Sequence, residues 1–242
     1  MESMDLVPTP KPVKAFPVIH LNSTQQGLTE ATHAMELGAD GVYLIDHHHG
    51  SPDPLLEAFE TVVQDLPDAF VGVNLLCAGT GLDAFRILAQ AVRERTISRY
   101  PDAVWADDAR PERLELQRLR EADKALALIT YLGGTSFKYT SAYSDDPSAA
   151  AAQATQMAPF VDVVCTSGPG TGHPTTPQRV AAMKQAIGEQ ELAVASGVDV
   201  DNVGMLRSHV DQVLVATSIE TSPGSGIIDH GSLAALLAAA RG

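Results

Sequence analysis

Eight short apolar runs of β-type residues recur along this chain, and most close on small polar, charged or glycine residues where a strand would hand over to a loop. They are Phe16–Leu21, Gly41–Ile45, Phe70–Leu76, Ala103–Trp105, Ala125–Leu132, Val161–Cys165, Leu192–Ala195 and Gln212–Ala216. Between most of them lies enough chain for a helix. Eight strand-then-helix units in 242 residues predict an α/β fold, a single-domain (β/α)8 TIM barrel over residues 1–242, with 1–15 as an extended N-terminal lead-in. Catalytic groups of that fold sit at the C-terminal ends of the strands, so the strand list doubles as a list of candidate site residues.

The intervening segments carry helix signals. Asp83–Arg95 places Phe85, Leu88, Ala89 and Val92 on one face at helical spacing. Thr29–Leu37 reads as a helix ended by Gly38, Pro111–Glu121 as a charged helix opened by proline, and Pro147–Met157 as an Ala-rich one capped by Asp145 or Asp146. Pro177–Ile187, Asp201–Ser208 and Gly231–Ala240 complete the set.

A formal net charge of -14 argues against nucleic acid as a partner, because duplex binding draws most of its affinity from Lys and Arg against phosphates. No apolar stretch approaches the roughly 18 residues of a membrane span, and Met1–Asp5 lacks a signal-peptide pattern, so no membrane insertion and a cytoplasmic location are expected. Cys77 and Cys165 make no CxxC or Cys/His spacing and read as buried free thiols. The partners expected are a small-molecule substrate and a second copy of the chain in a homo-oligomer, with no cofactor.

At the strand ends, strand one leads to His20 and Asn22, strand two to Asp46, His47, His48 and His49, and strand three to Asn74. Strand four leads to Asp107 and Asp108, strand five to a loop holding Lys138, and strand six to Thr166, Ser167, Gly168 and Thr171. Ser196 and Gly197 follow strand seven; Thr217 and Ser218 follow strand eight. Acid, base, amide and ammonium groups therefore converge on one rim, as an enzyme needs and a purely structural barrel does not.

Each group carries a plain structural alternative. Asp107 is placed to point inward as a general acid or base, with Asp108 as a helix cap or partner of Arg110 or Arg113; both could instead only cap the helix ahead of Pro111. Lys138 suits a Schiff base or a cationic clamp, and equally a solvated loop position six residues past Leu132. Asn74 suits a substrate oxygen or a turn. In the histidine run adjacent residues of an extended segment face opposite ways, so at most His47 and His49 could share one ion, with Asp46 adding an oxygen. The favoured reading is a polar substrate wall or proton-transfer site built from Asp46 and His47, with no metal.

The glycine-rich ends of strands six to eight have a physical use. Glycine lets backbone N–H groups approach an anion, and this fold commonly holds a phosphate between the loops after strands seven and eight and a short helix start. Ser196, Gly197, Thr217 and Ser218, with a short helix near Gly224–Gly226, fit that arrangement; the alternative is that these glycines merely make tight turns.

Gly72–Leu76, Gly134–Tyr139, Ser167–Gly172, Ala195–Val198 with Asn202, and Thr217–Ser218 ahead of Asp229 together resemble the BtpA/SgcQ family of TIM-barrel proteins. The resemblance runs from about strand two to the C-terminus and implies a phosphate-binding barrel. The chain departs from the family where His20 leads into Leu21–Thr24 in place of a Pro-Gly loop, where Asp46–His49 replaces an acidic-plus-Asn segment, and where Ile219–Glu220 stands in place of a lysine. The reading that follows is an enzyme of this type acting on a phosphorylated or anionic small metabolite by lyase, isomerase or glycosyl/phosphoribosyl-transfer chemistry. Asp107, Asp46, Lys138 and His47 would be catalytic, and His20, Asn22, Asn74, Thr166, Ser167, Gly168 and Thr171 would contact substrate. Two alternatives stand beside it. One is a non-catalytic assembly factor, in keeping with the family's link to photosystem I biogenesis; the other is a metal-assisted hydrolase using His47 and His49.

Overall fold

The computed structural model describes residues 12–48 and 50–242. Its eight strands are β1 (Lys14–His20), β2 (Val42–Ile45), β3 (Val71–Asn74), β4 (Ala103–Ala106), β5 (Thr130–Gly134), β6 (Val163–Thr166), β7 (Glu191–Ala195) and β8 (Gln212–Val215). All pair in parallel in chain order, and β8 returns to β1 with Phe16 opposite Leu214, closing the sheet on itself. The helices are α1 (Thr24–Glu36), α2 (Asp53–Asp65), α3 (Gly81–Arg93), α4 (Arg113–Ala122), α5 (Lys124–Ala127), α6 (Pro147–Met157), α7 (Pro177–Ile187), α8 (Val203–Leu206) and α9 (His230–Arg241). No helix of the described residues is long and apolar enough to cross a membrane.

Two hydrophobic layers follow from the twofold alternation of a strand. Phe16, Val18, Tyr43, Ile45, Trp105, Val163, Cys165 and Leu214 are among those filling the barrel interior. Their neighbours Ile19, Val42, Leu44, Val164 and Val213 face the helix layer with Phe59, Phe85 and Leu237. Gly72 makes room inside: a side chain there would run into the Tyr43 ring. Continued by two residues, the inward register of β1, β2, β4 and β7 reaches His20, His47, Asp107 and Gly197, which places those groups over the interior.

Several boundaries differ from expectation, each for a local reason. The run Ala125–Leu132 is not one strand: Asp123 accepts the Ala125 amide at 2.9 Å and starts the single turn α5, leaving the strand to begin at Thr130. The first helix begins five residues before Thr29, because Ser23 caps it by accepting the Gln26 amide at 3.1 Å. Leu55, Leu56, Phe59, Val62 and Val63 carry the helical spacing of α2, an element absent from the expected set. Glu112, with φ of 54°, starts α4 two residues past Pro111. The lead-in is shorter than residues 1–15, since Lys14 and Ala15 already belong to β1; residues 1–11 lie outside the described residues. Gly224–Gly226 forms no helix. Cys165 is buried as expected, but Cys77 is exposed, carried by a one-turn 3-10 helix over Leu76–Ala78.

Candidate active site

A cavity of about 240 Å³ opens at the C-terminal end of the barrel. Its floor is Val18, Ile45, Trp105 and Leu214, and its walls carry His20, His47, Asp107, Lys138, Thr171, Ser196, Gly197, Thr217 and Ser218. Trp105 buries its indole N–H without an acceptor at this floor. That position, two residues before Asp107 in the inward register of β4, was readable from the strand alternation.

Asp107 accepts the Asn74 side-chain amide at 3.1 Å. Burial raises its carboxyl above the ordinary aspartate value, and the Asn74 bond and the Lys138 charge only partly oppose this. Burial likewise draws Lys138 below the ordinary lysine value, opposed by Asp107. The two groups thus face one another with both charged forms penalised, as acid–base partners in a desolvated mouth would be. His47 is lowered by burial and then by the neighbouring His20, whose ring stands edge-on to it at 5.0 Å. Asp108 points away: Arg110 grips it in a bidentate pair at 2.9 and 2.6 Å, and it accepts the Arg110 amide as well.

The loops after β5 and β6 are tied to one another. Lys138 Nζ donates to Thr171 Oγ1 at 3.1 Å, the Thr171 amide donates to Tyr139 Oη at 3.1 Å, and the Gly172 amide donates to Ser196 Oγ at 3.2 Å. Beneath them lies Arg179, from the first turn of α7 and 1 % exposed. It donates to the carbonyls of Ser136 (2.5 Å), Ser144 (2.8 Å) and Ser167 (2.8 Å) and to Thr175 Oγ1 (2.9 Å), and stacks over Tyr143. This arginine holds the β5 and β6 loops together, and nothing in its local sequence marks it.

Six expected site residues play other parts. Asp46 is buried and spends one oxygen on the His48 amide at 2.8 Å, so it shapes the turn after β2 and does not line the cavity. Asn22 donates to the Ser225 carbonyl at 2.7 Å. Thr166 is buried against the Ser136 carbonyl, and Ser167 accepts the Lys138 amide at 2.8 Å. Gly168 packs against the backbone of His173, where any side chain would collide. Asn74 reaches the cavity only through Asp107. His49, half of the expected metal pair, lies outside the described residues.

The proposed anion niche is altered at one side. The amides of Gly224 and Gly226 donate to Glu220, at 2.6 and 3.3 Å, so an internal carboxylate occupies them. Gly197, with φ of 73°, faces the backbone of His173 and Pro174 on its Cβ side, so bulk added there meets protein and not ligand. On the cavity side the amides of Gly197, Val198, Thr217 and Ser218 find no protein acceptor among the described residues. Ser218 Oγ ties the two loops by donating to the Val198 carbonyl at 2.6 Å.

No family model and no curated protein matches the chain in sequence. Solved structures do match. Phosphoribosyl anthranilate isomerase from Thermus thermophilus superposes with a TM-score of 0.61 at 13% identity, over 94% of this chain and 98% of that one. Mycobacterium tuberculosis tryptophan synthase gives 0.62 at 14% identity, over 95% and 93%. (S)-3-O-geranylgeranylglyceryl phosphate synthase from Thermoplasma acidophilum, in complex with sn-glycerol-1-phosphate, gives 0.61 at 14% identity, over 96% and 94%. The chain is a TIM barrel over nearly its whole length.

Proposed function

We propose that this protein is an enzyme that binds a phosphorylated or otherwise anionic small metabolite in the barrel mouth and transforms it by acid–base chemistry. The observation that carries the reading is one cavity bringing Asp107, Lys138, His20 and His47 together with four unpartnered backbone amides of the β7 and β8 loops. Those amides suit an anion, as backbone donors free of side-chain bulk do. The Trp105 N–H and Thr171 supply further contacts to the body of the substrate. Asp107, whose carboxyl burial raises above the ordinary aspartate value, is the proton donor, and Lys138 is a cationic clamp or amine nucleophile across from it. Barrels of similar shape include an isomerase of a phosphoribosyl compound and a synthase holding sn-glycerol-1-phosphate. Lyase, isomerase or phosphoribosyl-transfer chemistry within the BtpA/SgcQ type is the finer form of this proposal.

Phosphate tests it directly. At a hundred times its dissociation constant a ligand that binds only the folded state stabilises it by about 2.7 kcal/mol. Melting temperature in phosphate should therefore exceed that in chloride at matched ionic strength, and Thr217→Asp, which sets a negative charge beside the amides, should erase the difference. A parent protein indifferent to phosphate would overturn the anion reading.

A further inference from the structure

We infer that His20 and Glu220 form a carboxylate–imidazole dyad in which His20 Nε2 is the general base of the barrel mouth and Glu220 is its positioning residue. The inference rests on the reading of the mouth as a catalytic pocket, and it names the base that reading leaves unassigned.

His20 ends β1 on the inward register and lines the cavity. Its Nδ1 lies 2.9 Å from Glu220 Oε1, and the Glu220 side chain is 2 % exposed. Three donors hold that carboxylate. Gly224 gives its amide to Oε2, while His20 and Gly226 share Oε1. The segment bearing Glu220 is itself pinned: Glu220 bridges to Ile228, and the Thr221 amide donates to Ile227 at 2.9 Å. It is joined to the β1 end by Asn22 on the Ser225 carbonyl and Gln26 on the Gly226 carbonyl.

The chemistry follows from what each atom can do. Burial alone would raise the Glu220 carboxyl, but the bonds from His20, Gly224 and Gly226 outweigh it and leave the group below the ordinary glutamate value, hence ionised. An ionised carboxylate only accepts, so the imidazole proton sits on Nδ1. The lone pair is then on Nε2, the ring nitrogen left to the cavity; among the described residues the His20 ring makes no second hydrogen bond. His47 from the β2 loop packs edge-on against the ring, and Asp107 from β4 and Lys138 from the β5 loop face the same space. In the step this arrangement supports, a substrate C–H or O–H proton passes to His20 Nε2. The freed electron pair moves to a substrate oxygen, and that oxygen takes the proton of the Asp107 carboxyl. Imidazolium beside Glu220 and carboxylate at Asp107 remain; turnover is complete when His20 delivers its proton to a second substrate atom and Asp107 takes a proton back from a substrate oxygen.

Two measurements on the full chain test the dyad. In histidine-labelled protein at alkaline pH, where imidazoles are neutral, nitrogen NMR should report His20 as the Nδ1–H tautomer; an Nε2–H tautomer would overturn the proposal. This reading needs no variant, so it survives a substitution that fails to fold. Carbethoxylation by diethylpyrocarbonate at alkaline pH, followed peptide by peptide with exposed His173 as internal reference, should be slower at His20 in Glu220→Gln than in the parent, because the carboxylate that makes Nε2 the stronger nucleophile is gone. Equal rates in the two proteins would refute the role of Glu220. Loss of the phosphate-induced stabilisation with the tautomer intact removes the anion reading and leaves the dyad standing, whereas the converse removes the dyad alone.

Discussion

Arg179→Met should be the most damaging single change to the loops that frame the cavity, and its size can be worked out from the contacts. The substitution keeps the stem's volume and deletes four hydrogen bonds, leaving the carbonyls of Ser136, Ser144 and Ser167 and the hydroxyl of Thr175 without that donor. An orphaned buried acceptor costs about 1–3 kcal/mol. Thr166 Oγ1 still serves the Ser136 carbonyl, and Ser144 is only partly buried, so water can reach it. Two full penalties and a partial one give about 3–6 kcal/mol on that same scale. Relief of a buried guanidinium that has no carboxylate within bonding distance among the described residues returns part of this, which leaves a net loss of about 2–5 kcal/mol. For a chain of this length each kcal/mol moves the melting temperature by about 2–4 °C, so a fall of roughly 10 °C is expected. Urea denaturation followed by circular dichroism would measure it, with Arg179→Lys as a control: a lysine has three donors on one atom and cannot span four acceptors, so it should recover little. A variant within 1 kcal/mol of the parent would show that the loops hold without the arginine and refute the reasoning.

Other outcomes follow from the same geometry. Asp107→Asn should cut turnover of the first substrate identified by roughly two powers of ten or more, while Asp108→Asn, which loosens only the Arg110 pair, does much less. The same Asp107→Asn should stabilise the protein at neutral pH: with its folded-state value raised, the parent's favourable contribution is complete below the ordinary aspartate value and lost as pH rises through the folded-state value, so the gap between variant and parent should close in acid. Gly197→Val should lower the melting temperature equally with and without phosphate, because the added bulk meets His173 and Pro174 at a φ of 73° and does not enter the cavity. Ellman's reagent should titrate Cys77 in the native state and Cys165 only after denaturation, burial having raised the latter's thiol well above its usual value.

What could be read in the chain was whatever two residues or one turn decide. Pro147–Met157 and Pro177–Ile187 coincide with α6 and α7, because proline at the first helical position and a capping Asp146 or Thr176 announce a helix within four residues. The inward alternation of β1, β4 and β7 carried His20, Asp107 and Gly197 to the rim for the same reason. Ala125–Leu132 misled because eight apolar residues suit a strand or a buried helical turn equally, and Asp123 decides between them only as a cap. Asp46 looked catalytic by position, but a short carboxylate two residues before the His48 amide closes on its own backbone. Arg179 and the pairing of His20 with Glu220 were out of reach, since each is a contact between segments that only barrel closure brings together. Glu220 in particular stood out as a departure from the resembled family, in the place of a lysine, and so read as an obstacle to anion binding; the fold turns it outward from the cavity to serve His20.

Asp107 at the mouth and Glu220 behind His20 show how one barrel can separate acid from base. Asp107 and Glu220 are both withdrawn from water, and burial pushes both toward the neutral form. They differ in what they accept. Asp107 receives a single amide hydrogen from Asn74, too little to offset its desolvation, so it holds a proton above the range where an exposed aspartate has lost it. Glu220 receives two backbone amides and an imidazole N–H, enough to reverse the sign, so it stays charged below the range where an exposed glutamate is neutralised. Divergent environments of this kind separate the roles: the group pushed toward its neutral form is the better proton donor, and the group held charged can keep an imidazole ready to take one. The donor reaches the cavity from β4 and the acceptor from β1, with the β7 and β8 amides between them along the rim. A small anionic metabolite bound there would be gripped at one end and flanked at the other by a donor and an acceptor. The chemistry this favours moves protons within one molecule or across one scissile bond.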